Sequence, residues 1–174
     1  GQLFFESDIN YIVAQEEEKY RKKIEDKYLP VNSSLARGIK NMPNIWLEGI
    51  VDDYDLIDVK RRPEREKIII DFLLNKSNIT QCLESLEENE ISLLRYLLEK
   101  GGWARLNVVT RKFGSMEGDG FYWSEFVPSS ALGFLWSQAL VMVGRANLKG
   151  SRIKIATIPV ELRDLIKEAR GRFS

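Results

Sequence analysis

Residues 140–155 contain the pattern that most restricts the fold of this chain. The run from Leu140 to Arg145 has the β-branched content that is typical of a strand. The next segment, residues 147–150, has the composition of a turn. Residues 152–155 then alternate polar and apolar side chains, which is the period of a half-buried strand. The pattern therefore predicts a strand, a turn and a second strand.

Helices and one short strand are predicted on both sides of this pair of strands. Residues 87–100 have acidic side chains in the first turn and apolar side chains spaced for one buried face, which predicts a helix. A very short strand at 103–104 and a second helix at 106–113 follow. A third helix is predicted over residues 128–139, and a final helix begins at Pro159.

The order of these elements resembles that of a known superfamily. Helix, short strand, helix, helix, strand, turn and strand follow one another over residues 88–158, as in the winged-helix (winged helix-turn-helix) superfamily. The resemblance depends on element order and turn placement. It implies a mainly α fold with a small β-wing. It also implies DNA binding, because the third helix of many members enters the major groove.

The first 86 residues are predicted to be a helical N-terminal region that packs on a C-terminal domain of residues 87–174. Residues 7–28 form a helical arm in this prediction, and the polar second half of the arm is expected to be a solvated surface. Short helices are expected at residues 33–40, 45–51 and 64–74 and around Cys82. Cys82 itself is interpreted as a small buried hydrophobic residue.

Residues 43–74 also resemble SAP and Rho-N-like modules, which are small helical pairs that often bind nucleic acid. The resemblance lies in a short helix, Asp55 and Leu56, a basic turn at residues 60–62, and a second helix that opens with charges. The linker differs from the family because it lacks the glycine that is common there. Ordinary packing of a helical hairpin explains the same pattern, so both interpretations stay open.

Composition argues against catalysis. The chain contains no histidine, which removes the usual general base, the commonest metal ligand and every Ser-His or Cys-His nucleophile pair. The single cysteine excludes an intrachain disulfide and a multi-cysteine metal site. We therefore expect a protein that is not an enzyme, with no cofactor and no metal.

Location is predicted from the same composition. No apolar run approaches the roughly 20 residues that cross a bilayer, and no signal-peptide pattern opens the chain. We expect a cytoplasmic (intracellular) protein with no membrane partner.

Charge is distributed unevenly although the chain is neutral overall. Residues 1–100 carry 15 Lys/Arg against 20 Asp/Glu, whereas residues 101–174 carry 11 against 6. A basic half can indicate an anionic partner, or it can attract the acidic half of the same chain.

A nucleic-acid site is predicted on the wing and the second helix, with DNA or RNA as the partner. Its cations are Arg105, Arg111, Lys112, Arg145, Lys149, Arg152 and Lys154. Such side chains neutralise phosphates and give salt-sensitive binding with little sequence preference. The basic turn at residues 60–62 is a further candidate contact. A solvated strand face is the alternative interpretation of the wing cations.

The third helix indicates a different class of function. Residues 128–139 contain no cation that could read base edges, and Phe134 and Trp136 lie on different sides of the predicted helix. An apolar helix of this kind packs against a neighbour or binds protein. The second hypothesis is therefore a protein-interaction module, in which these two residues contact a protein partner or form a homodimer. The aromatic run at residues 121–123 is interpreted as a lid on the core.

Overall fold

The computed structural model describes residues 6–169, which form nine helices and a small antiparallel sheet of three strands. The helices are α1 (Glu6–Glu25), α2 (Leu35–Asn41), α3 (Asn44–Asp53), α4 (Arg62–Leu73), α5 (Lys76–Glu84), α6 (Glu88–Glu99), α7 (Leu106–Phe113), α8 (Ala131–Ser137) and α9 (Val160–Glu168). The strands are β1 (Trp103–Arg105), β2 (Met142–Leu148) and β3 (Ser151–Thr157). The predicted fold class, mainly α with a small β-sheet, is confirmed.

The sheet has the order β1-β3-β2, with both neighbours antiparallel. The predicted hairpin is confirmed, but its turn is shorter than the sequence indicated. Lys149 and Gly150 alone connect the strands, with φ values of 49° and 82°. Positive φ at both central residues is the geometry of a type I′ turn, which matches the twist of the flanking strands. This turn fixes the register in which Leu148 pairs with Ser151.

Local side-chain contacts explain where several helices begin. The Ser34 hydroxyl accepts a hydrogen bond from the Arg37 amide at 3.1 Å at the start of α2. Ser130 does the same for the Gly133 amide at 2.9 Å at the start of α8. Glu87 opens α6 with a reciprocal capping box that involves Glu90. These caps satisfy amides that have no partner inside the helix.

One continuous hydrophobic core contains residues from both of the predicted regions. Trp46 of α3 stacks on Trp123 at a ring separation of 4.2 Å and meets Trp136 of α8 edge-on at 4.9 Å. The Trp46 indole donates to the Phe121 carbonyl at 2.7 Å. The N-terminal helices therefore cover the C-terminal elements through buried aromatic contacts.

The segment after α1 runs along the sheet. The Leu29 amide donates to the Arg145 carbonyl at 2.8 Å, and the Arg145 amide donates to the Lys27 carbonyl at 2.9 Å. Gly144 makes this approach possible, because a Cβ there would lie 2.5 Å from the Leu29 Cβ. Leu29 itself is fully buried.

The second half of α1 differs from the solvated surface that the sequence predicted. Arg21 and Glu25 are only 3% and 4% exposed. The guanidinium of Arg21 binds Glu25 at 2.9 Å, Glu18 at 2.9 Å and the Met116 carbonyl at 3.0 Å. Because all of these charges are paired, the polar half of the helix can pack against the rest of the protein.

Cys82 in α5 is partly buried, in accordance with its interpretation as a small hydrophobic residue. Burial raises the pKa of its thiol. The side chain of Tyr54 lies beside it, and the Tyr54 hydroxyl donates to the Gln138 carbonyl at 2.8 Å. The hydrogen bond between Tyr54 and Gln138 is a further connection between the two predicted regions.

Candidate nucleic-acid interface

A groove with a volume of about 580 Å³ lies between α1, the start of α7 and the hairpin. Four of the seven predicted phosphate-binding cations line it: Arg105, Arg145, Arg152 and Lys154. The other three do not. The structure thus brings together more than half of the predicted set, on both sides of one groove.

Two of the four cations in the groove are already neutralised by the end of α1. The Arg145 guanidinium binds the Asp26 carboxylate at 2.9 Å. The Lys154 ammonium binds Glu25 at 3.0 Å and lies 3.8 Å from Asp26. The sequence predicted that Lys154 faces outward together with Arg152, but its side chain is only 25% exposed. The acidic end of α1 covers this part of the hairpin.

Arg105 and Arg152 are not neutralised by α1 in this way. Both are exposed, and neither side chain has a hydrogen bond or an ion pair with any described residue. Arg105 lies at the junction of β1 and α7, and Arg152 lies on β3 beyond the part that pairs with β1. Asn107 and Thr110 of α7 line the groove beside them. Two available guanidinium groups therefore lie next to neutral hydrogen-bonding side chains.

The three cations outside the groove have different surroundings. Arg111 is exposed and lies four residues after Asn107, on the same face of α7. The Lys112 ammonium lies over the Tyr96 ring at 4.7 Å from its centroid, which is a cation–π contact. Lys149 is exposed at the hairpin turn. Arg111 thus continues the row of polar side chains along α7, and Lys149 lies at the tip of the hairpin.

The charge of the groove is positive overall. Its lining residues include six cations, Arg21, Lys22, Arg105, Arg145, Arg152 and Lys154, and three carboxylates, Glu18, Glu25 and Glu117. The carboxylates of Glu18 and Glu25 are 24% and 5% exposed and pair with Arg21 and Lys154. Arg105 and Arg152, in contrast, are exposed and have no such partner among the described residues.

Helix α8, which corresponds to the third helix predicted over residues 128–139, is buried in the protein and not exposed to a partner. It packs against α3, α6 and α7, and six of its seven residues are buried. Trp136 is 1% exposed, so the prediction that it contacts a partner needs correction: the side chain is part of the tryptophan cluster. Phe134 is partly buried against the core. Trp46 of α3 packs edge-on against Trp136, so the N-terminal region contributes to the enclosure of α8.

The basic turn before α4 has an internal role. Arg62 donates to the carbonyls of Ile39, Lys40 and Met42 at 2.7 to 3.2 Å, and to the Asn44 side chain at 2.8 Å. Its guanidinium thus caps α2, because it donates hydrogen bonds to carbonyls at the C-terminal end of that helix. In the linker between α3 and α4, Asp55 adopts a φ of 53°. The resemblance of this segment to SAP and Rho-N-like modules stays a prediction.

Two polar residues that the sequence did not single out organise this half of the molecule. Arg163 of α9 donates to the carbonyls of Val31, Gly101 and Ile158, and Asp119 accepts hydrogen bonds from the amides of Ser129 and Ser130. Gly102 leaves room for Arg163, because a Cβ there would lie 2.2 Å from its Nε. The sequence signals for these two contacts are the glycine pair at residues 101–102 and the serine pair at residues 129–130. Neither pair indicates which distant residue it contacts.

Comparison of the chain with known protein families, with curated proteins and with solved structures finds no match. Among residues 6–169, no helix is both long and apolar enough to cross a membrane. Within the same residues, no three side chains of the metal-binding types are grouped as a metal site would require. The function must therefore be argued from the groove itself.

Proposed function

We propose that the protein binds the phosphate backbone of nucleic acid in the basic groove and does not read base sequence. In this proposal residues 88–158 are a winged helix that contacts phosphates with its second helix and its wing. The observation that carries the proposal is that two exposed arginines, Arg105 and Arg152, line one groove and that neither side chain has a hydrogen bond or an ion pair with a described residue.

The chemistry of the two arginines suits phosphate. A guanidinium presents a planar fork of donors that matches two phosphate oxygens, and it is more weakly hydrated than an ammonium. Asn107 and Thr110 can add neutral hydrogen bonds to phosphate or sugar oxygens. Arg111 lies on α7 four residues after Asn107, and Lys149 lies at the hairpin turn; in this proposal a polymer bound in the groove also contacts these two cations.

The enclosure of α8 supports the absence of base reading. Sequence is read by side chains that reach base edges, whereas phosphate contacts fix only register and orientation. Since Trp136 and most of α8 are buried, the helix that usually enters the major groove is not available. We expect similar affinity for nucleic acids of unrelated sequence.

The test is fluorescence anisotropy with labelled duplex DNA of about 20 base pairs and single-stranded RNA of similar length, over about 25 to 200 mM salt. The variant replaces Arg105 and Arg152 by glutamate. Loss of two phosphate contacts should lower the slope of log affinity against log salt by about 1.4 to 1.8 and weaken binding at low salt at least about tenfold. Both side chains are exposed, so stability should change little.

The matched control makes the same charge change on another face, with Lys67→Glu and Lys76→Glu on α4 and α5. Both residues are exposed, and neither lines the groove. The control should keep near-wild-type affinity apart from the small effect of net charge. Equal weakening in the two double variants, or no binding by the wild-type protein at the lowest salt, would refute the proposal.

A further inference from the structure

A second surface of the molecule is apolar and lies away from the basic groove. It consists of Ile9, Ile12 and Val13 of α1 together with Tyr122, Phe126 and Val127 of the loop before α8, and we call it the α1–loop surface. Each of these six side chains is between 37% and 66% exposed. Single exposed apolar residues are ordinary, but a contiguous set marks a binding surface.

Two neighbouring hollows connect five of the six residues, and Ile9 lies one helical turn before Ile12 and Val13 on α1. One, of about 250 Å³, is lined by Val13, Phe126 and Val127. The other, of about 310 Å³, is lined by Ile12, Val13 and Tyr122. Val13 lines both, so the hollows lie on the two sides of the same stretch of α1. Two shallow hollows on either side of an apolar ridge can accept apolar side chains of a partner.

The rim of the α1–loop surface is acidic. Glu16 and Glu17 line the hollows, and the exposed Asp8 and Glu125 are next to Ile9 and Phe126 in the sequence. Among the described residues, Lys19 is the one cation that lines either hollow, and it lies 4.0 Å from Glu16. The buried Asp119 also lines the first hollow, so five carboxylates and one ammonium line this surface or adjoin it in sequence. The surface is therefore negative, opposite in sign to the basic groove.

We propose that the α1–loop surface binds a basic amphipathic segment of a partner protein. Apolar side chains of the segment would fill the two hollows, and its Lys or Arg side chains would meet the acidic rim. A second copy of the chain fits less well, because a two-fold interface would place each acidic rim against its own copy. The negative rim also repels nucleic acid, so this binding is separate from the proposed function of the groove.

The probe is a synthetic helical peptide of about 14 residues with leucine and lysine at amphipathic spacing. Its counterpart has glutamate in place of every lysine. Binding of each labelled peptide to the full chain is measured by fluorescence anisotropy. The basic peptide should bind at least about tenfold more tightly than the acidic one, because only the basic peptide complements the rim.

Variants then locate the binding. Val13→Ser with Phe126→Ser should weaken binding of the basic peptide at least about tenfold, since both side chains line the hollows. Glu16→Lys with Glu125→Lys should weaken it about fivefold. The matched charge control is Glu84→Lys with Glu99→Lys, at exposed positions on α5 and α6 outside both hollows.

Three results would overturn the proposal. The first is no binding of the basic peptide at about 100 μM, a concentration well above the dissociation constant of a specific contact. The second is equal binding by the wild-type chain and the Val13/Phe126 variant. The third is a wild-type dimer in analytical ultracentrifugation that this variant converts to a monomer, which would assign the surface to a second copy. Loss of nucleic-acid binding in the Arg105/Arg152 variant should leave peptide binding unchanged.

Discussion

Arg163 connects parts of the chain that are far apart in sequence. Its Nε donates to the Ile158 carbonyl at 2.8 Å, and its terminal nitrogens donate to the carbonyls of Val31 at 2.9 Å and Gly101 at 3.2 Å. One side chain thus holds the segment before α2, the start of β1 and the end of β3. Burial lowers the pKa of its guanidinium. The guanidinium donates from three nitrogens that are spread over a planar fork, so each of them reaches a different carbonyl.

Arg163→Lys should therefore destabilise the protein although it keeps the charge. A lysine has one nitrogen and cannot satisfy all three carbonyls, so the free energy of unfolding should fall by about 2 to 3 kcal/mol. Urea unfolding followed by circular dichroism measures the change. Arg111→Lys on exposed α7 is the matched control and should stay within about 0.5 kcal/mol of the wild type. If both variants had the same stability, Arg163 would not have the connecting role given to it here.

At the scale of elements, α1 determines how many cations the hairpin can offer to a ligand. Its last residues, Glu25 and Asp26, neutralise Lys154 and Arg145. The Asp26 carboxylate is 53% exposed, so its ion pairs contribute no more than about 1 kcal/mol to stability. The same carboxylate nevertheless competes directly with phosphate for Arg145.

Asp26→Asn should tighten nucleic-acid binding. Release of Arg145 adds one potential phosphate contact, so the affinity should rise about fivefold and the salt slope should steepen by up to about 0.9. The salt series in the anisotropy assay measures both quantities. Asp71→Asn, an exposed position on α4 with the same charge change, should leave the slope unaltered. An unchanged slope and affinity in Asp26→Asn would show that Arg145 does not reach the ligand even when it is free.

The elements differ in how well the sequence predicted them. The helices and the hairpin are predicted from the spacing of apolar residues, from helix caps and from turn residues. The predicted bounds of these elements agree with the structure to within a few residues. The pairing of Glu25 with Lys154 spans 129 residues, and no local pattern indicates it. The burial of Trp136 had a usable signal, because a helix that is apolar on all sides is typically enclosed. The sequence also named four of the six cations that line the groove, but not which of them α1 would neutralise.

At the scale of the whole molecule, one hydrophobic core continues across residue 87, where the sequence predicted a boundary between two regions. Trp46 stacks on Trp123 and meets Trp136 edge-on, and Leu29 lies against Gly144 of the sheet. A backbone hydrogen bond from the Val160 amide to the Ser33 carbonyl also joins the two regions. The two regions predicted from the sequence therefore contribute to one hydrophobic core. Two regions of that kind unfold together, since neither keeps its core without the other.

The last prediction tests this cooperativity with a substitution in α4, which packs mainly against α2, α3 and α5. Leu73 is fully buried there, and Leu73→Ala should lower the free energy of unfolding by about 2 to 5 kcal/mol. Far-ultraviolet circular dichroism reports mainly on the helices, whereas fluorescence reports on the tryptophans, three of whose four positions lie after residue 100. Because the core is shared, the urea midpoint should fall equally in both measurements. An early helical transition that leaves the fluorescence unchanged would instead show that the C-terminal elements fold independently of α4.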